Sequence, residues 1–119
     1  MTDYTSTEIE LINISLGITI KLRRLKKKLS QLDLGIISDT DNTIVGRIER
    51  AEHVSGWDKI MQVSQKLNID YCSLFVFKTK QEVLDMITEC LKLETKLTTK
   101  KQEFYDKLVM RITELYDKI

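Results

Sequence analysis

Asn42, Thr43, Arg47 and Arg50 carry the side chains best suited to reading the edges of nucleic-acid bases. Arg bonds guanine O6 and N7 in bidentate fashion, Asn does the same to adenine, and a Thr methyl meets the thymine methyl. Advancing about 100° per residue along a helix through these positions sorts them cleanly. Ile44, Val45 and Ile48 fall on one side; Thr43, Gly46, Arg47 and Arg50 fall on the other, with Asn42 beside them at the N-terminal end. Short polar groups followed one turn later by a long donor is the order a helix needs to enter the major groove by its first turns. The bland alternative is the solvated face of an amphipathic helix, so the neighbouring residues decide between the two.

The stretch from Ser30 to Ala51, SQLDLGIISDTDNTIVGRIERA, has helix-turn-helix spacing. Leu32, Leu34, Gly35 and Ile37 supply the apolar face of the first helix, and Gly35 lets the second cross at close range. Ser38-Asp39-Thr40-Asp41 forms the turn, with the Asp41 carboxylate placed to accept the amide of Thr43 or Ile44 as an N-cap. Ser30 caps the first helix and sets Gln31 in its first turn, where its amide and the free backbone N–H groups suit a phosphate. Upstream, Lys21, Arg23, Arg24, Lys26, Lys27 and Lys28 put six bases into eight residues. Such a run beside a helix-turn-helix is where phosphates would lie, Lys27 and Lys28 foremost.

The elements that position these groups follow from composition. The chain has 119 residues, no Pro and four Gly, the last at position 56, so its second half reads as helix almost throughout and the class as all-α. Residues 1–12 read as an N-terminal arm or short helix, 13–77 as the DNA-binding domain, and 78–119 as a helical extension. Helix one starts at Asn13 or Ser15 and turns Leu16, Ile20, Leu22 and Leu25 inward. After the reader helix, Ser55 caps a fourth helix with Trp57, Ile60, Met61, Ser64 and Leu67 inward; Asn68 ends it in the left-handed conformation. Asp70 caps a fifth carrying Tyr71, Leu74 and Phe75.

The segment Leu16 to Phe75 resembles the phage-repressor-type helix-turn-helix domain, the XRE family that includes lambda repressor. The match runs through Leu16-Gly17 opening helix one, Leu29-Ser30-Gln31 opening helix two, Ile48-Glu49-Arg50 closing helix three and Leu67-Asn68-Ile69 closing helix four. The resemblance implies a five-helix domain in which Gln31 meets a phosphate or base at the site edge and Asn42, Thr43 and Arg47 face bases. It also implies that Arg24 pairs with Glu49. That pair has a physical reason as well, since a Glu between the core residues Val45 and Ile48 is costly to bury alone. The chain departs from the family at Asp39 and Ala51, where the family has Gly, and at Ser38 and Thr40, where it has apolar residues.

In the extension, Val83, Ile87, Cys90, Leu97, Phe104, Leu108, Leu115 and Ile119 outline a coiled-coil-like heptad seam, interrupted by Glu94, Lys101 and Arg111. Thr98-Thr99 is its weakest helical spot, a hinge if the extension is two helices. A continuous stripe of this length favours a homodimer, with folding back onto the domain as the alternative. Two reader helices one DNA turn apart would then read a palindrome.

Net charge is +1, so global charge says nothing about partners. Cys72 and Cys90 sit alone in apolar contexts, pointing to a reducing compartment and core packing rather than a disulfide. The lone His53 argues against a zinc site, and no catalytic constellation or phosphate-cradling loop can be assembled, so no enzyme activity, metal or cofactor is expected. No membrane-spanning run or secretory leader is expected either, which places the chain in the cytoplasm. These residues lead to a DNA-binding transcriptional regulator, a repressor on a two-fold operator. The alternative is a protein-interaction module, or an antitoxin whose helical tail holds a second protein.

Overall fold

Thr5 starts the first helix. Its hydroxyl accepts the Glu8 amide at 3.1 Å while its own amide donates to Glu8 Oε1 at 3.1 Å, so two orphan donors are satisfied reciprocally. The helix that follows, α1 (Ser6–Lys26), runs 21 residues, so residues 6–12 belong to it and form no separate arm. A computed structural model describes residues 3–119; the first two positions of the expected 1–12 arm lie outside them. Among the described residues the chain is all-helical. α2 (Gln31–Ile37), α3 (Asn42–Arg50), α4 (Trp57–Lys66), a 3-10 turn (Tyr71–Phe75), α5 (Lys80–Leu93) and α6 (Thr99–Asp117) follow in order, within extents of 38 × 34 × 20 Å.

α1 is apolar on two sides. Leu11, Ile14, Ile18 and Leu22 recur three and four apart and share one core with Val83, Ile87 and Cys90 of α5 and Tyr105, Leu108, Ile112 and Leu115 of α6. Leu16 and Ile20 lie across the helix and share a second core with Leu34, Val45, Ile48, Ile60, Val63, Leu67, Ile69 and Leu74. Both sets are at most 9% exposed. α1 is thus a wall between two cores, and the segment expected as a separate 78–119 extension is one of the two layers packed on it. The seam folds back on its own chain, because two antiparallel helices bury the stripe without a partner molecule.

The second core is built by close approach. A Cβ on Gly17 would overlap the Ile48 carbonyl oxygen, and one on Gly35 would come within 2.9 Å of the Asp41 carbonyl carbon. Gly17 therefore sits in the middle of α1, where α3 crosses it, and not at the opening of helix one. In α2 only Leu34 and Gly35 are buried. Leu32 and Ile37, expected on the inner face, are 56% and 45% exposed, because a seven-residue helix held at its centre turns its ends outward.

Several local signals act as their chemistry dictates. Ser30 and Asp33 close a capping box, and the Ile44 amide donates to Asp41 Oδ1 at 2.9 Å. Asp39, Ala51 and Asn68 have φ of 56°, 52° and 56°, so all three take the left-handed backbone without being Gly. Helix four is different: Gly56, not Ser55, is its N-cap and supplies no side-chain bond. Val63 takes the inner position, while Trp57 is 66% exposed. The residues after Asp70 form only a short 3-10 turn with no side-chain cap.

Candidate nucleic-acid interface

α3 is sorted by burial into two faces. Val45, Gly46, Ile48 and Glu49 are buried, whereas Asn42, Thr43, Arg47 and Arg50 are exposed. Gly46 was expected on the reading side. Its Cα is instead covered, since an added Cβ would meet the Arg50 guanidinium at 2.7 Å and the Gln31 side-chain Oε1 at 3.4 Å.

Beneath the interface lies a buried ion pair. Arg24 Nε and Nη2 donate to the two oxygens of Glu49 at 2.6 and 3.0 Å, a bidentate arrangement with the side chains 9% and 1% exposed. The remaining donors are used too: Arg24 Nη1 donates to the Leu29 carbonyl at 2.8 Å, and Gln31 Nε2 donates to Glu49 Oε1 at 3.1 Å. Burial alone would lower the Arg24 pKa, but the hydrogen bonds and charge of Glu49 raise it above its ordinary value. The pair clamps the C-terminal part of α1 to the last turn of α3. It also commits one hydrogen of the Gln31 amide, leaving that side chain a single N–H for a phosphate at the start of α2.

The basic run divides. Lys26, Lys27 and Lys28 are exposed, and Lys26 lies 3.4 Å from Glu89. Lys21 and Arg24 are buried, and Arg23 donates to the Leu67 carbonyl at 3.1 Å, closing the end of α4. Of the six bases expected to face phosphates, only the three lysines at the end of the run stand exposed, because a 100° rotation per residue carries the earlier ones round to the rest of the fold. Arg50 is tied to Glu52 at 2.6 Å on the surface, and this bond and charge hold the Glu52 carboxyl below its usual range.

Lys59 was not singled out from sequence. Together with His53, Val54 and Gly56 it lines a notch of about 210 Å³ against Ile44 and Arg47, at the start of α4, whose N-cap residue Gly56 contributes no side-chain bond. A basic residue in the first turn of a glycine-capped helix was the available signal.

The residues expected to form a dimer seam lie elsewhere. Val83, Ile87, Cys90, Leu108 and Leu115 are buried in the core shared with α1, Phe104 is half-buried, and Leu97 and Ile119 are exposed, at 45% and 60%. The five buried residues are not available to a second chain. Glu94, which interrupts the apolar seam, is the polar centre of the bend between α5 and α6. Its carboxylate accepts the Tyr105 hydroxyl at 2.7 Å and faces Lys21 Nζ at 3.6 Å and Lys101 Nζ at 3.5 Å. The Lys21 ammonium also lies 4.4 Å from the Tyr105 ring centre. Burial pulls the Lys21 pKa down, partly offset by Glu49 and Glu94. For Glu94, burial acts to raise the pKa, but the Tyr105 hydrogen bond and the two lysines bring it below the usual value. Burial pushes the Cys90 thiol up to about 12, so it is a packing residue without nucleophilic character; Cys72 is exposed. No helix among the described residues is long and apolar enough to cross a membrane. A scan of protein-family profiles found no match to this chain, and searches of curated proteins and of solved structures found none either.

Proposed function

We propose that the chain is a sequence-specific DNA-binding transcriptional regulator, acting as a repressor through a helix-turn-helix of the lambda-repressor type. In this reading α3 enters the major groove with Asn42, Thr43 and Arg47 on base edges, Arg50 at the groove margin, and Lys27, Lys28 and Gln31 along the phosphates. The observation that carries it is the two-sided character of α3: Thr43 and Arg47 stand in solvent while Val45, Ile48 and Glu49 are sealed against the rest of the fold.

Each chain reads one half of a two-fold site, and two copies occupy the palindrome. Their contact is made by a surface other than the α5–α6 seam, which is already covered. Selection from random duplexes followed by anisotropy titration tests the proposal. Arg47→Ala is expected to weaken binding by about 1–3 kcal/mol and relax preference at one base position. Reversing the charge of Lys27 and Lys28 is expected to weaken all sequences alike and flatten the salt slope. Failure to enrich any duplex, with neither variant changing the isotherm, would overturn this function in favour of a protein-interaction module.

A further inference from the structure

Between the start of α2 and the bend joining α5 to α6 the surface opens into a cleft of about 1120 Å³, roughly the upper end of the range for small-molecule sites. Two features of its lining are unexplained by folding. The first is apolar. Leu32 and Leu93 are 56% and 39% exposed and belong to neither core; the half-buried Phe104, which packs on the α1–α5–α6 core, completes the apolar lining. The second is charge: seven cationic side chains line the cleft against three carboxylates.

All three carboxylates are engaged within the fold. Glu49 is held by Arg24 and Gln31, Glu94 by Tyr105, Lys21 and Lys101, and Asp33 by the backbone amide of Ser30. Two of the cations are not. Lys28, just after α1, and Lys100, in the first turn of α6, both line the cleft, are exposed and make no ion pair among the described residues. Lys28 is moreover held in the left-handed conformation, φ 59°, by the tight end of α1.

We infer that this cleft binds a small amphipathic anion, a phosphate monoester or carboxylate carried on an apolar chain or ring. The apolar body lies between Leu32, Leu93 and Phe104, and the anionic head takes Lys28 and Lys100. A nucleic-acid phosphate alone would satisfy the lysines but leave both leucines bare, and a neutral apolar compound would leave the excess positive charge unanswered. The walls include Gln31 and Arg50, so in the DNA-binding reading the occupant would be an effector. The binding itself does not depend on that reading.

Calorimetric titration of the full chain with octyl phosphate, octanoate, octanol and inorganic phosphate tests the inference. At least one of the two amphipathic anions is expected to bind about tenfold or more tighter than octanol or inorganic phosphate, with the two heads ranking phosphate against carboxylate. Lys28→Gln with Lys100→Gln should remove about tenfold of that affinity and leave octanol unchanged, and Leu32→Ser should also weaken it. All these positions are exposed, so folding is preserved, and a circular dichroism melt verifies it. Equal affinity for all four probes would overturn the site. So would amphiphile binding that survives both sets of changes, or that falls as much with Lys107→Gln and Lys118→Gln outside the cleft.

Discussion

The two sides of α1 meet their neighbours in different ways. Toward α3 the helix offers Gly17 and the short stripe Leu16 and Ile20, so backbone lies against backbone and the contact ends in the bidentate Arg24–Glu49 pair. Toward α5 and α6 it offers four large aliphatic residues, fills the gap with the fully buried Tyr105, and ends in the looser Lys21–Glu94–Tyr105 group. Lys21 and Arg24 are three residues apart, so one face of α1 near its C-terminal end carries the polar clamps for both cores. The difference teaches what each contact is for. The α3 side holds one helix at a fixed angle, whereas the α5–α6 side mainly removes apolar surface from water.

The largest expected effect comes from removing one layer altogether. Deleting residues 78–119 bares Leu11, Ile14, Ile18 and Leu22, and the remaining chain is expected to lose its cooperative thermal transition by circular dichroism. A truncated chain that still melts cooperatively would show that the two cores are independent and that the comparison overstates their shared wall.

Next come the two clamps. Glu49→Ala strands a buried guanidinium and is expected to cost about 3–5 kcal/mol in urea melts. Glu94→Ala removes a carboxylate from a 3.6 Å pair with Lys21 and a single short hydrogen bond from Tyr105, and about 1–3 kcal/mol is expected. Equal losses, or the reverse order, would mean that bidentate geometry is not what separates the two sides.

Acid sharpens the same contrast. The folded Glu94 pKa is lowered, so its contribution to stability is present above the unfolded carboxylate value of about 4.3 and is lost as pH falls through the lower folded value. Glu94→Gln should remove that part of the acid slope and leave stability near neutrality less pH-dependent below it. An unchanged slope between the variant and the parent chain would assign the acid sensitivity to other carboxylates, such as Asp33 and Glu82, which their caps also hold low.

The smallest effect lies at the end of α3. Ala51 sits at φ 52°, a conformation that costs an L-residue roughly 1–2 kcal/mol and costs Gly little. Ala51→Gly is expected to stabilise the chain by about 1 kcal/mol, visible as a small upward shift of the melting temperature. A loss of stability instead would show that the Ala51 methyl, packed against the α5–α6 core, outweighs the backbone strain.

Local chemistry was legible before any coordinates. Ser30 and Asp41 cap the helices they precede, Asn68 takes the left-handed turn, and α3 divides into a buried and an exposed face, with only Gly46 misplaced. Each of these depends on residues within one or two turns of one another. For the Arg24–Glu49 contact, a carboxylate between two core residues announced only that it needed a partner; that the partner is Arg24 was what the family resemblance implied. Lys21 and Glu94 carried the same kind of demand, but each lay in a run of charge or an interrupted seam, where a solvated position was the simpler account. Tyr105 and Ile112 escape the sequence reading because the heptad seam passes through Phe104, beside Tyr105, and steps from Leu108 directly to Leu115.

Sequence alone therefore determined the all-helical class, the caps of α2 and α3 and which side of α3 is apolar, since these follow from short-range sterics and hydrogen bonds. Only the tertiary structure decided that α1 serves two cores and that residues 78–119 cover its second face rather than a second molecule. Apolar burial has no direction and no memory of sequence distance, so a stripe announces that it will be covered without naming what covers it.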